Sequence, residues 1–276
     1  MFIKLSEKPR FWPIQTPKRN TEPLHSNNQP KGLYSSNVIY YLIMTKHKYF
    51  AQGEQTNLTP LVYNHAERAK RVNINNPRIT ALSEPLISVY RTCKYISELP
   101  IIKGYVQDAK EKSEEEKQNN KLKNSVFRQR DLDQVLREGY LPTCSERGLL
   151  FRGLMIAQEI PTMWVETFHE DYILDRRPRK TEIMGHVIGR VFDGDRSYLV
   201  DPTPNPRITE DEVDALPHVI LAEGLDTWHL GIKTYQDLEL TKRACLPELL
   251  TRLEKNRRTE FEKRVQEIER ARRRPQ

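Results

Sequence analysis

Over the first 35 positions the apolar residues are sparse and without period, and Pro9, Pro13, Pro17, Pro23 and Pro30 stand among Asn, Ser and Lys. Such a stretch cannot bury enough apolar surface to offset the ordering of its chain, so residues 1–43 are expected to be a disordered extension. Between Leu61 and Leu99 the apolar positions follow mixed spacings, with Leu86, Val89, Tyr90 and Ile96 able to form a helix packed on a core. Asp108 to Lys123 is almost wholly charged or amide-bearing, the signature of a solvated helix or a flexible link. A helical or irregular region with that charged linker is therefore expected over 44–124.

Patterning sharpens after Arg130. Leu132, Val135 and Leu136 share one side of a short helix that Gly139 ends. Thr143 or Ser145 can cap a second helix running to about Glu159. Leu150, Leu154 and Ala157 lie on one face of it, and Leu149, Phe151, Met155 and Ile156 widen that face, so the helix belongs inside a domain. Thr162–Phe168, His186–Phe192 and Ser197–Val200 read as strands, the last two joined through Asp193, Gly194 and Asp195 as a hairpin. Pro202 stops the ladder after Asp201. Leu246 to Ile268 carries Leu249, Leu250, Leu253, Phe261, Val265 and Ile268 at helical spacings among many charges, which predicts a long exposed helix. A central helix followed by antiparallel strands is an α+β arrangement.

This layout brings three reactive side chains within reach of one another. Cys144 starts the buried helix, where first-turn amides favour a thiolate and could hold an oxyanion. His186 opens a strand of the sheet on which that helix would pack. Asp201 ends the neighbouring strand and lies beside His186 if the hairpin pairs across Asp193 to Arg196, where a carboxylate can fix the imidazole tautomer. A cysteine at a helix start, a histidine at a strand start and an aspartate before proline are each ordinary alone. Their combination, in the order Cys, His, Asp, points to nucleophilic catalysis.

These residues resemble the transglutaminase-like superfamily of cysteine enzymes with a papain-like fold. The likeness covers roughly Arg130 to Leu240. It is carried by Cys144-Ser145-Glu146-Arg147-Gly148-Leu149-Leu150-Phe151 with Ile160-Pro161, by Gly185-His186, and by Tyr198 through Asp201, Pro202 and Thr203. The resemblance implies a catalytic core over 125–240 with Cys144 as nucleophile, His186 as base and Asp201 as orienting acid. It implies acyl transfer or hydrolysis at an amide or peptide bond through a thioester, on a protein or peptide substrate, without metal or cofactor. Water needs no dedicated second pocket, which favours hydrolysis. Thr143 before the cysteine, and Val187 and Ile188 after the histidine, depart from the aromatic or small residues common there and bear on substrate choice. An oxyanion glutamine would be expected just before the nucleophile. Position 138 is Glu138, and Gln129 and Gln134 match nothing. Gly224, Leu225, Asp226 and Trp228 resemble a segment of some prokaryotic members.

Composition narrows the alternatives. The chain of 276 residues has 45 Lys and Arg against 38 Asp and Glu, for a formal charge of +7. The excess sits at the ends: Lys242 to Gln276 carries 12 basic and 6 acidic residues, while Met44 to Thr241 is slightly acidic. A basic C-terminal helix over 241–276 is thus expected as an appendage that could touch a polyanion, and an inactive fold used as a binding module with that tail is the competing class of function. The basic run Arg176, Arg177, Arg179 and Lys180 could favour an acidic substrate. Val38–Met44, the longest apolar run, is far short of a membrane span. Cys93, Cys144 and Cys245 are odd in number and far apart, which argues for a reducing, cytoplasmic setting, with Cys93 and Cys245 as packing or surface thiols. Trp164 and Trp228 read as core or cleft wall. His218 and His229, the closest histidine pair, are too widely spaced for a zinc motif.

Overall fold

The computed structural model describes residues 49–99, 127–139, 141, 143–176, 185–210 and 217–272. The extension 1–43, the charged stretch 108–123 and the basic run beyond Arg176 lie outside the described residues. The described chain is an α+β fold in which one central helix packs on a five-stranded antiparallel sheet.

Helix ends follow the local chemistry. Thr59 caps α1 (Pro60–Lys70), with Pro60 at a first position whose N–H has no helical partner. Asn76 caps the short α2 (Pro77–Thr80), and α3 (Glu84–Glu98) buries Leu86, Val89, Cys93 and Ile96. Asp131 and Gln134 form a reciprocal capping box on α4 (Leu132–Glu138), and Gly139 ends it at φ 64°. In α5 (Cys144–Ala157), Thr143 rather than Ser145 is the cap, closed by Glu146 in a second capping box. Twelve of the helix's residues are buried, so it is enclosed nearly all round, as its broad apolar face implies.

Helices α1, α3 and α4 pack around α5 in one cluster that holds Val62, Ala66, Val89, Leu132, Val135, Leu150 and Leu154. The mixed-spacing region before the charged stretch therefore belongs to the same core as α5. Buried Arg152 ties them further, donating to Thr162 O, to Thr56 Oγ1 at 2.6 Å and to Ala51 O at 2.7 Å.

The strands are β1 (Thr162–His169), β2 (Gly185–Asp193), β3 (Arg196–Asp201), β4 (Arg207–Thr209) and β5 (His218–Gly224), in the order β4-β3-β2-β1-β5. The hairpin pairs Asp193 with Arg196, with Gly194 at φ 60° in its turn. Between β1 and β2 lies the short α6 (Glu170–Ile173); after β5 come α7 (Tyr235–Ala244) and α8 (Leu246–Arg272). Helix α8 packs through Leu249 and Leu253, and beyond Asn256 none of its described side chains is buried. Two glycines set the distance between α5 and the sheet. A Cβ on Gly148 would fall 2.4 Å from Val187 Cγ1, and one on Gly189 would fall 2.6 Å from Phe151. Helix and strand are thereby closer than ordinary side chains would permit.

Candidate active site

The three sequence-derived residues come together. Cys144 is the first residue of α5, partly exposed, and its thiol lies within the electrostatic reach of the His186 imidazole. His186 Nε2 lies 3.1 Å from Asp201 Oδ1. That leaves Nδ1 as the ring nitrogen available to sulfur. The β2–β3 ladder ends at the Gly189–Val200 pair, so His186 and Asp201 stand on strand ends beyond it. His186 is held from the other side, where it pairs with Thr167 and its carbonyl accepts from Thr167 Oγ1 at 2.9 Å. Asp201 Oδ1 is buried and its contact with the ring is ionic, because the direction falls short of a well-aligned hydrogen bond.

The electrostatics favour a charge-separated pair. Burial pushes the Cys144 thiol up, but the hydrogen bond and charge of His186 outweigh it and leave the thiol below its ordinary value. Burial works to lower His186, and Asp201 and Cys144 overcome it and carry the imidazole up to about 10. The other two thiols move the opposite way: burial pushes Cys93 up, and burial with Glu248 pushes Cys245 up. Reactivity follows the thiolate, so the three cysteines are chemically unequal.

Several contributors lie far from the motif in sequence. Arg128, 3 % exposed and at φ 56°, donates from Nη2 to both Glu166 oxygens at 2.7 and 2.9 Å, and from Nε to Ser145 Oγ at 3.2 Å. Trp164 Nε1 adds a third donor to Glu166 at 3.2 Å. The two charges act on the Cys144 thiol with opposite signs, Glu166 raising it and Arg128 lowering it. The segment around Arg128 is clamped by the Gly224-to-Trp228 run. Trp228 Nε1 donates to Arg128 O at 2.7 Å, Thr227 Oγ1 binds Gln55 Oε1, and fully buried Asp226 accepts from the backbone of Gln55, Thr56 and His229. Tyr235 stacks on Phe127 with ring centroids 3.8 Å apart, and burial with the Cys144 charge pushes its phenol up to about 12, so it stays a neutral donor. The buried charges at Arg128 and Glu166 gave no sequence signal, since charged residues read as exposed.

Other sequence candidates are used elsewhere. Gln129 Nε2 donates to Lys233 O, and Gln134 closes its capping box, so neither points to an oxyanion role. Arg176 pairs with Asp171 at 3.1 Å and with Glu170 at 3.8 Å. Trp164 is core, 1 % exposed. His169, His218 and His186 approach one another, with ring centroids 5.4 and 5.2 Å apart, although they lie far apart in sequence. They form no metal-ligating group among the described residues. No helix among those residues is long and apolar enough to cross a membrane.

No family model and no curated protein matches the chain. Among solved structures it is similar to a crystal structure from Cytophaga hutchinsonii described as a "putative cysteine protease", at 11% identity and a TM-score of 0.40. The alignment covers 72% of this chain and 50% of that one, so the chain spans about half the length of that structure. At this TM-score the likeness is loose, and the chemistry is read from the residues themselves.

Proposed function

We propose that the protein is a transglutaminase-like cysteine enzyme with a papain-like core, acting on amide or peptide bonds through a thioester. The observation that carries this reading is the convergence of Cys144, at a helix start, with His186, whose Nε2 lies 3.1 Å from Asp201 and whose charge acts on the thiol. The lowered thiol and the raised imidazole both favour the thiolate–imidazolium form that acylation requires. The Cys144 sulfur attacks the carbonyl carbon, and the carbonyl electrons move onto oxygen beside the first-turn amides of α5. As the tetrahedral species collapses, the C–N bond breaks and His186 gives its proton to the departing amine or ammonia. Water, deprotonated by the now neutral His186, attacks the thioester, and the C–S bond breaks to release the acid and restore the pair. An amine in place of water gives transfer. Asp201 holds the ring with Nε2 turned toward it throughout.

A thiol-reactive probe tests the reading in the full chain. Cys144 should label well above Cys93 and Cys245, and the preference should vanish in His186→Ala; equal slow labelling of all three would sink the proposal. Mass spectrometry of a glutamine-containing peptide mixture then separates deamidation, cross-linking and cleavage.

The alternative, an inactive module docking on polyanions, draws support from α8, which projects beyond Asn256 and ends in Arg270 and Arg272. Much of its charge is already compensated, with Arg258 on Glu262 and Arg264 on Glu260. Truncation after Thr241 should abolish binding to a polyanion such as heparin if the tail is the docking element; retained binding excludes it.

A further inference from the structure

Beside the Cys144–His186–Asp201 arrangement lies a small cavity of about 40 Å³, walled by Ile96, Leu141 and Pro202 and lined also by Cys93, Ser97 and Arg147. It adjoins the reacting groups from two directions. Arg147 stands one helical turn after Cys144 on α5, and Pro202 directly follows Asp201. Arg147 and Asp201 both bear electrostatically on Cys93 in the cavity wall.

Arg147 differs from the other cations near the sheet. Arg128 faces Glu166, Arg130 faces Glu138 and Arg190 faces Glu223, each at 2.6 or 2.7 Å. Arg152 is spent on two carbonyls and a hydroxyl. The Arg147 guanidinium makes no hydrogen bond or ion pair among the described residues, although it lines a cavity whose other walls are largely apolar. Asp201, which like Arg147 bears on Cys93, is engaged with His186. A partly buried guanidinium without an anion is a ready partner for a planar carboxylate, which it can grip with two parallel N–H donors. The cavity size agrees. One water needs roughly 10–15 Å³ on this measure, so 40 Å³ holds about three non-hydrogen atoms, the number in a carboxylate.

We propose that this cavity is a substrate subsite in which Arg147 binds a carboxylate of the acyl donor, placed next to the amide that Cys144 attacks. The carboxylate comes from an Asp or Glu side chain of the substrate or from its C-terminus, and the apolar walls take the adjoining methylene groups. This rests on the acyl-enzyme reading above. It gives the acidic-substrate preference a different origin from the basic run after α6, whose first member, Arg176, is already paired.

The test uses irreversible cysteine-directed peptide probes in matched pairs, an aspartyl probe against its asparaginyl isostere and a C-terminal acid against the C-terminal amide. The ratio of labelling rates at Cys144 within each pair is read in the full chain, so differences in thiol reactivity cancel. At least one acid should label roughly tenfold or more faster than its amide, a ratio that falls toward one in Arg147→Gln, is partly kept in Arg147→Lys and shrinks with added salt. The pair that shows the preference identifies the source of the carboxylate. Ratios near one in the unmodified protein, with Cys144 still labelling preferentially, overturn the subsite and leave the acyl-enzyme reading standing. A preference that survives Arg147→Gln also overturns it. Absence of selective Cys144 labelling by any probe overturns the acyl-enzyme reading and the subsite with it.

Discussion

Two charged pairs flank Cys144, and they are built in opposite ways. Behind the start of α5, the side chains of Arg128 and Glu166 are 2% and 0% exposed, joined through both carboxylate oxygens, with Ser145 and Trp164 adding further hydrogen bonds. In front, His186 and Asp201 are 24% and 32% exposed, stand past the last pair of their ladder, and leave one carboxylate oxygen without an aligned donor. The first pair is closed to solvent and acts as a fixed anchor, with Arg128 Nη1 left without a hydrogen-bond partner. The second is half open and can take up or release a proton. Both involve a carboxylate within hydrogen-bonding distance of a cation, so what separates scaffold from chemistry here is how far the pair is open to solvent.

If that contrast is right, the pairs respond differently to mutation. The largest effect belongs to the closed pair. Glu166→Ala strands a buried guanidinium and should cost about 3–5 kcal/mol in urea-induced unfolding. A loss below about 1 kcal/mol would mean that water already reaches the anchor. For the open pair the effect shifts from stability to rate. His186→Ala should slow acylation of Cys144 by an amide substrate roughly a hundred- to thousandfold, with unfolding changed by less than about 1 kcal/mol. Equal losses in both measurements would erase the distinction. Smaller still, Gly148→Ala pushes α5 away from Val187 and should cost about 1–3 kcal/mol, with acylation slowed because the Cys144–His186 contact lengthens. Val187→Ala in the same chain should restore part of both by making room for the added methyl group.

The same contrast explains what the sequence could and could not reveal. Thr143, Gly139 after Glu138, and Gly194 between two β-rich runs act within a few residues, and they disclosed the helix that begins at Cys144, its predecessor and the hairpin that carries His186 and Asp201. The open pair was legible for that reason. The closed pair was not. Arg128 reaches Glu166 across 38 positions, and β1 is buried at Glu166 as well as at its apolar neighbours, so alternation gave no hint of an inward charge. Strand β5 escaped because it joins the sheet beside β1, a partner distant in sequence, and β4 because three residues carry too little pattern. The Gly224-to-Trp228 run was visible as a motif without a role, since its work is done on Gln55 and Arg128, far away in the chain.

The shifted Cys144 and His186 also fix a pH window. Acylation needs the Cys144 thiolate and the His186 imidazolium together. It should therefore set in below the ordinary thiol range and fall as pH rises through about 10, where His186 loses its proton. The thiolate itself persists above that point, so simple alkylation should not fall with it.

The most direct test is the pH dependence of Cys144 alkylation by iodoacetamide, quantified on the Cys144 peptide in the full chain and in His186→Ala. The unmodified protein should titrate with a midpoint below the ordinary thiol value of about 8.5, and the variant should titrate above it, because burial, the largest influence, is then no longer outweighed by His186. A midpoint at or above that of Cys245, unmoved by His186→Ala, would contradict the thiolate–imidazolium pair on which the account stands.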